Sequence, residues 1–246
     1  QLVSVQATSD YRQEFNNITT LISNASTIED WYELYSKLVF WELELASTDT
    51  NMDELLNMQK IEANSTFYKF VKKNYEKWMT GDGRPVMSPD VFKNKVFPLL
   101  DKGEKVFFIL IDNFRLDQWR TVKPLLSEYF TFEEDLYCSI LPTATQYARN
   151  AIFSGLMPQQ IEKMFPDLWI DEDEEEGKNI NESPLIETMF GRFRRQCKFS
   201  YNKINDSVAG ERLIREFSNL ENNDLNIIVL NFIDMLSHAR TESKMI

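Results

Sequence analysis

Apolar and polar side chains alternate with a helical period over the first part of the chain. Apolar positions recur at intervals of three and four residues, which is the spacing of one face of an α-helix. Thr27 with Asp30 three residues later is close to a capping box and predicts the start of a second helix. Three stretches carry the apolar pattern: 11–22, 31–45 and 53–78. Three amphipathic helices in series predict a helical bundle over residues 1–87, with a structural or spacer role.

The hydrophobic period changes beyond a stretch rich in glycine and proline, from Gly81 to Pro89, which marks a boundary. A short helix is expected from Ser88 to about residue 100. After it, apolar runs of strand length alternate with helical patterns. This alternation predicts an α/β domain over residues 88–246, with a mostly parallel sheet and helices on both faces. Strands are expected at 106–111, 132–140, 198–204 and 225–233. Helices are expected at 116–129, 146–154, 158–164, 184–193 and 207–220.

Two aspartates follow the most apolar strands, which are long enough to be buried on both faces. Asp112 comes directly after 106–111, and Asp234 directly after 225–233. Parallel strands bring both to one edge of the sheet, where open α/β sheets bind ligands. His238, the only histidine of the sequence, follows at a spacing that lets it share a zinc ion with Asp234 if the segment turns or is helical. Two alternatives stay open: Asp112 as a loop residue or helix cap, and His238 as a hydrogen-bonded polar residue without a metal.

Thr145 stands at the predicted start of a helix, in the segment Pro142-Thr143-Ala144-Thr145. A helix N-terminus offers free backbone donors and a positive dipole end, so a phosphate group can bind beside the hydroxyl. A metal ion that lowers the pKa of this hydroxyl would activate it as a nucleophile without a histidine base. The alternative is that Thr145 is an N-cap and nothing more.

The charge balance limits the possible partners. The 246 residues carry 39 acidic and 27 basic side chains, a net charge of -12, which argues against broad electrostatic binding of nucleic acid or of an anionic membrane. Cys138 and Cys197 do not form a disulfide framework, and no apolar run reaches the roughly 18 residues of a membrane span. We therefore expect a cytoplasmic protein without membrane insertion. The acidic run at 171–176 is interpreted as a solvated loop.

The segments around Asp112, Thr145 and Asp234 resemble the PglZ domain, a branch of the alkaline phosphatase superfamily. The chain is similar to the PorX-type response regulators of the type IX secretion system, whose helical linker joins a receiver domain to the PglZ domain. By this resemblance Asp112 is the first metal ligand, and Thr145 of the P-T-x-T motif is the nucleophile and a ligand of the same zinc ion. Asp234 and His238 of the D-x-x-x-H motif are ligands of a second zinc ion.

Asn113 and Arg115 are candidates for holding the phosphate group because they follow Asp112 so closely. Arg115 has an alternative as a surface residue that pairs with Asp117 or Glu128.

The resemblance also implies that the site is incomplete in these 246 residues. The superfamily completes its two-zinc site with a later Asp-His pair and a further His, and nothing after His238 supplies them. Zinc sites in proteins have three or four protein ligands. We therefore expect a truncated alkaline-phosphatase-like domain, with weak or absent zinc binding and little activity, that belongs to a larger protein.

The resemblance implies an enzyme in the full-length protein: a metal-dependent phosphodiesterase or phosphatase acting on nucleotide or oligonucleotide substrates. A sensor kinase would act through the receiver domain, and the full-length protein would form a homodimer. The alternative is a non-catalytic signalling scaffold that binds a sigma factor or a secretion component. The presence of four site residues together, Asp112, Thr145, Asp234 and His238, favours the enzyme.

Overall fold

The computed structural model describes residues 2–46, 52–170 and 179–242 and divides the chain into two compact units. The first unit comprises the residues up to Pro85 together with Arg115–Leu136, and the second comprises Val86–Phe114 together with the residues from Tyr137 onward. The acidic run at 171–176 lies outside the described residues. The first change of unit, after Pro85, lies within the stretch Gly81–Pro89, and the domain bounds 1–87 and 88–246 stay predictions. The assignment of Arg115–Leu136 to the helical unit was not anticipated.

Three long helices build most of the first unit, as the apolar spacing predicts. They are α1 (Leu2–Asn24), α2 (Ile28–Leu45) and α3 (Met52–Met79). The capping box at the start of α2 is present: the Asp30 N–H donates to Thr27 Oγ1 at 3.2 Å, and the Thr27 N–H donates to Asp30 Oδ2 at 2.8 Å. Apolar side chains of α1 and α2 are fully buried, among them Ile18, Leu34 and Leu45.

A fourth helix, α5 (Leu116–Leu126), completes the first unit by packing on α2. Its Arg120 donates to the backbone oxygen of Ser36 at 2.8 Å and to Glu134 at 3.0 Å. The predicted strand at 132–140 is wrong, since residues 131–137 form neither helix nor strand and only Cys138 makes an isolated bridge, to Met87. Three consecutive acidic residues in this stretch leave it few side chains for a buried pleated surface.

The second unit contains a three-stranded parallel sheet, which confirms the predicted α/β class. The strands are β1 (Val106–Ile111), β2 (Phe199–Ile204) and β3 (Leu225–Leu230), in the order β1-β3-β2. Ile111, Leu230 and Ile204 are in register, so the three strands end together at one edge. The predicted strand at 225–233 is three residues too long, because a helix starts at Phe232.

The burial of the strands follows their place in the sheet. The central strand β3 is buried almost throughout, as expected for a strand with neighbours on both sides. The expectation that β1 is buried on both faces is not met, because Phe107 and Ile109 are exposed in the part of the chain that the structure describes. On the covered side, Phe92, Phe153 and Phe190 form the centre of the core.

Helices surround the sheet. They are α4 (Phe97–Asp101), α6 (Thr145–Ser154), α7 (Pro158–Met164), α8 (Glu182–Arg192), α9 (Ser207–Arg215) and α10 (Phe232–Glu242). The predicted single helix from Ser88 is instead a short 3-10 turn, a π-helical turn at Phe92–Val96 and α4. Pro98 contributes to this break because it has no N–H for the carbonyl four residues earlier. None of the described helices is both long and apolar enough to cross a membrane.

Candidate active site

The carboxyl ends of the strands carry the polar residues of the site. Asp112 directly follows β1, and its N–H donates to the carbonyl of Leu230 at 2.9 Å. Asn231 directly follows β3, and its N–H donates to the carbonyl of Ile204 at 3.1 Å. These backbone bonds place both side chains at the same edge, as the parallel arrangement predicts.

Asp112 is bound by an arginine that the sequence did not single out. Arg149, in α6, donates from Nη1 to Asp112 Oδ2 at 2.9 Å and to Asn231 Oδ1 at 3.0 Å. Its Nε and Nη2 donate to the two carboxylate oxygens of Glu182, each at 2.7 Å. The Tyr201 hydroxyl also donates to Glu182. Arg149 is 4% exposed and Glu182 is fully buried, so we call these five side chains the Arg149 network.

Burial and neighbouring charges shift the pKa values of side chains in and near the Arg149 network. Burial by itself lowers the pKa of the Arg149 guanidinium, but the hydrogen bonds and charges of Glu182 and Asp112 outweigh it and raise this pKa overall. Burial and the negative charge of Glu182 both raise the pKa of Tyr201. Burial lowers the pKa of the nearby Lys203 ammonium. Arg149 is therefore always charged, and Tyr201 stays a hydrogen-bond donor.

Thr145 is the first residue of α6, one helical turn before Arg149. The N-cap is Ala144, so the interpretation of Thr145 as an N-cap is wrong, and its hydroxyl makes no hydrogen bond with the described residues. The following residue, Gln146, is 7% exposed and buries an amide nitrogen without a partner in the described part of the chain. A free hydroxyl and an unused donor at a helix N-terminus suit the binding of an anionic group.

Asp234 and His238 lie one turn apart in α10, not at the end of a strand. His238 Nε2 is 3.5 Å from Asp234 Oδ2, with side-chain exposures of 69% and 29%. The helix thus brings the two side chains of the D-x-x-x-H motif together, as the spacing allows.

Arg115 forms an ion pair with Asp117, as its alternative interpretation has it. The two nitrogens Nε and Nη2 donate to the carboxylate at 2.9 and 2.7 Å, and the hydrogen bond from Arg115 holds the pKa of Asp117 below its usual value. Asn113 is exposed, and its φ of 57° turns the backbone sharply after Asp112. The phosphate-binding roles of Asn113 and Arg115 stay predictions, and the ion pair argues against that of Arg115.

The sequence analysis missed Arg149, Glu182, Tyr201 and Asn231. A usable signal existed for one of them: Arg149 is the only charged residue in α6, four positions after Thr145 and therefore on the same helical face. Glu182 and Tyr201 come from distant parts of the chain, and no local pattern pairs them with α6.

Comparison with known proteins decides the family. Residues 91–246 match the BREX system PglZ alkaline phosphatase-like domain. The chain belongs to the PglZ family. Residues 1–79 match the PorX response regulator linker domain, and among curated proteins no match to the chain is found. A PorX linker followed by a PglZ domain is the arrangement of a PorX-like response regulator effector, and the PglZ domain places the chain in a superfamily of hydrolases.

The alkaline phosphatase-like superfamily generally uses metal ions, and the side chains present fit zinc in kind. Asp112 Oδ1 accepts no hydrogen bond from the described residues, the Thr145 hydroxyl is unbonded, and Asp234 lies beside His238. Carboxylate oxygen and imidazole nitrogen are usual zinc ligands. Within residues 2–46, 52–170 and 179–242, however, no three His, Cys, Asp or Glu side chains meet in one group. Each pair therefore offers fewer donors than the three or four protein ligands of a zinc site.

Proposed function

We propose that this chain is the effector part of a two-component response regulator and that its PglZ domain is a zinc-dependent phosphodiesterase acting on nucleotide or oligonucleotide substrates. The observation that carries the proposal is the position of Thr145 at the first turn of α6, with a hydroxyl that caps nothing. A structural threonine at a helix start typically stands at the N-cap and uses its oxygen there, whereas a nucleophile must keep its oxygen available.

Two zinc ions would be held by different pairs of side chains. Asp112 and Thr145 would hold one zinc ion, and Asp234 and His238 would hold the other. When bound, zinc lowers the pKa of the threonine hydroxyl and polarises the phosphoryl oxygens. The two pairs alone bind zinc weakly, since stable sites have three or four protein ligands.

Thr145 carries out the transfer. Its hydroxyl gives up its proton to solvent, and Oγ attacks phosphorus in line with the bond to the leaving group, which breaks and leaves its electron pair on the departing oxygen. The N-terminus of α6 stabilises the negative charge of the phosphoryl oxygens, because its free backbone N–H groups and dipole are directed at them. Water then attacks phosphorus and releases Thr145.

The arrangement of linker and PglZ domain supports a signalling role in the cytoplasm. In this proposal a sensor kinase phosphorylates a receiver domain of the full-length protein, the helical unit transmits that state, and the protein acts as a homodimer that controls type IX secretion. The match of residues 1–79 to the PorX linker supports this part of the proposal.

A second candidate function is a non-catalytic scaffold that binds a sigma factor or a secretion component. It is favoured by exposed apolar side chains on the helical unit, where Phe40 of α2 is 48% exposed and Ile61 and Tyr68 of α3 are 69% and 63% exposed. Exposed apolar surface of this kind suits a protein partner.

Two measurements on the full-length protein distinguish the phosphodiesterase from the scaffold: its zinc content and its hydrolysis of bis-p-nitrophenyl phosphate. The wild-type protein is expected to contain zinc and to be active. Thr145→Val should lower the turnover number by on the order of 10³-fold or more, because the nucleophile is lost. Thr143→Val is the matched control: it makes the same change at an exposed position two residues earlier and should leave activity near wild type. A zinc-free, inactive protein that still binds signalling partners would establish the scaffold instead.

A further inference from the structure

The hydrogen-bond donors of Arg149 are nearly all used inside the protein. A guanidinium has five N–H donors. Four of them bind Glu182 twice, Asp112 and Asn231, and the side chain is 95% buried. An arginine that holds a substrate phosphate must present a free fork of two donors. Arg149 has no such fork, so it cannot hold a phosphate group through two parallel hydrogen bonds.

The contact of Arg149 with Asp112 is not required to form the ion pair between Arg149 and Glu182. The two parallel hydrogen bonds to Glu182 already neutralise and orient the guanidinium. Nη1 nevertheless extends to the edge of the sheet, where it binds one oxygen of Asp112 and the amide oxygen of Asn231. Only Oδ2 of Asp112 is held, while Oδ1 keeps its lone pairs free of the described residues.

Glu182 in turn is fixed by its own hydrogen bonds. It accepts both hydrogen bonds from Arg149 and a third from the Tyr201 hydroxyl. Tyr201 lies in β2 and Glu182 begins α8. The guanidinium therefore has a fixed position relative to the sheet, and it belongs to the same helix as Thr145.

From these contacts we propose that Arg149, braced by Glu182 and Tyr201, is a positioning residue for the zinc ion that Asp112 and Thr145 share. It holds Asp112 by Oδ2, directs Oδ1 to the metal as a single-oxygen ligand, and sets the distance between Asp112 and the helix that carries Thr145. Partners that orient a metal ligand in this way typically contribute 10- to 100-fold to metal affinity or activity. The inference rests on the proposed function, because it requires a zinc ion at Asp112.

The test measures the affinity of each zinc ion in the full-length protein by competition with a chelating dye. Arg149→Met/Glu182→Met removes both buried charges at similar volume, a replacement that buried ion pairs often tolerate. The zinc ion at Asp112 should then bind 10- to 100-fold more weakly, while the ion at Asp234 and His238 is unchanged, since these residues lie outside the Arg149 network. If the Arg149–Glu182 pair were only structural, its loss would weaken the binding of both zinc ions equally or of neither.

Two single variants complete the design. Tyr201→Phe removes one hydrogen bond of Glu182 without leaving a buried charge, so it folds even where the double variant does not. It should weaken the ion at Asp112 by about threefold, the equivalent of one modest hydrogen bond. Arg195→Met is the matched control, because Arg195 also forms an ion pair, with Asp101, but lies before β2, away from the carboxyl edge. It should leave both affinities within twofold of wild type.

The outcomes separate this inference from the proposed function. A wild-type protein that binds zinc, whose activity is lost in Thr145→Val while the double variant and Tyr201→Phe keep wild-type affinity for both ions, overturns the positioning role alone. A wild-type protein that binds no zinc overturns the proposed function and the positioning role with it.

Discussion

At the scale of single residues, the feature with the largest expected effect on stability is the buried carboxylate of Glu182, which requires a positively charged partner. Glu182 is fully buried, and within the part of the chain that the structure describes only Arg149 places a positive charge at hydrogen-bond distance from it. Burying a carboxylate without a partner costs much more free energy than the pair contributes when it is intact. Hydrophobic periodicity cannot reveal such a pair, because its two members are 33 residues apart in the chain.

We predict that Arg149→Met alone lowers the free energy of unfolding by about 3–5 kcal/mol, because it leaves the Glu182 charge buried and unpaired. The double change Arg149→Met/Glu182→Met should recover most of that loss. Urea denaturation of the three proteins measures it. Equal destabilisation of the single and double variants would show that the buried charge is not the cause.

Cys197 gives a second prediction at this scale, on pH. Burial, aided by the charge of Asp224, raises the pKa of the Cys197 thiol from 9.0 to about 11. The folded state therefore keeps a proton that the unfolded state loses above pH 9.0, so the contribution of this thiol to stability is complete below that pH and declines as the pH rises to about 11. Denaturation of wild type and of Cys197→Ser across this range measures the effect. Parallel stability curves for the two proteins would contradict it.

At the scale of elements, the end of α6 is set by Gly155. Its φ of 65° lies in the left-handed region, and its N–H donates to the carbonyl of Ala151 at 2.9 Å. A Cβ at this position would meet Sδ of Met189 at 3.1 Å. Because Thr145 and Arg149 lie on the same helix, a change at its C-terminal end also tests how rigidly that helix is held in position.

Gly155→Ala is expected to lower the free energy of unfolding by about 2–4 kcal/mol, from left-handed strain and contact with Met189. Gly103→Ala is the control, since Gly103 has a φ of 76° but open space where the Cβ would be. It should cost only the strain, about 1–2 kcal/mol. Thermal or urea unfolding gives both values, and an equal cost for the two variants would mean that Met189 moves aside freely.

The elements that could be predicted are those whose pattern agrees with their surroundings. β1 (Val106–Ile111) and α7 (Pro158–Met164) have the predicted bounds, because an apolar run ended by Asp112 and a proline at a helix start are local signals. The strand predicted at 132–140 was wrong because this segment is held by the side-chain contacts of Glu134 and not by pairing in the sheet. Asp234 was placed at a strand end because the apolar residues Phe232 and Ile233 follow Asn231 and extend the strand pattern up to the first charged residue.

At the scale of the whole molecule, a segment leaves the second unit in the middle of its chain and joins the first. Arg115–Leu136 belongs to the helical unit, and Glu134 holds it together by accepting hydrogen bonds from Trp119, Arg120 and Lys123. The segment directly follows Asp112 to Phe114 of the site. It therefore follows, along the chain, the carboxyl edge of the sheet where Asp112 lies.

Glu134→Ala should loosen this segment, because three donors lose a shared charged acceptor, an effect of up to about 1 kcal/mol for exposed contacts of this kind. Hydrogen exchange of the backbone amides in 116–130 should become faster in this variant. Glu133→Ala, the same change at the preceding exposed residue, should leave exchange unaltered. Faster exchange in both variants would indicate a general effect of removing negative charge.

The central claim is that Thr145 is the nucleophile of a phosphoesterase. The most direct measurement is acid quenching of the full-length, zinc-loaded protein during turnover of a phosphodiester substrate, followed by mass spectrometry of its peptides. The account predicts a phosphoryl adduct on Thr145 that is absent from Thr145→Val and still present in Thr143→Val. Turnover of the substrate by Thr145→Val at the wild-type rate, with no adduct in any of the three proteins, would contradict it.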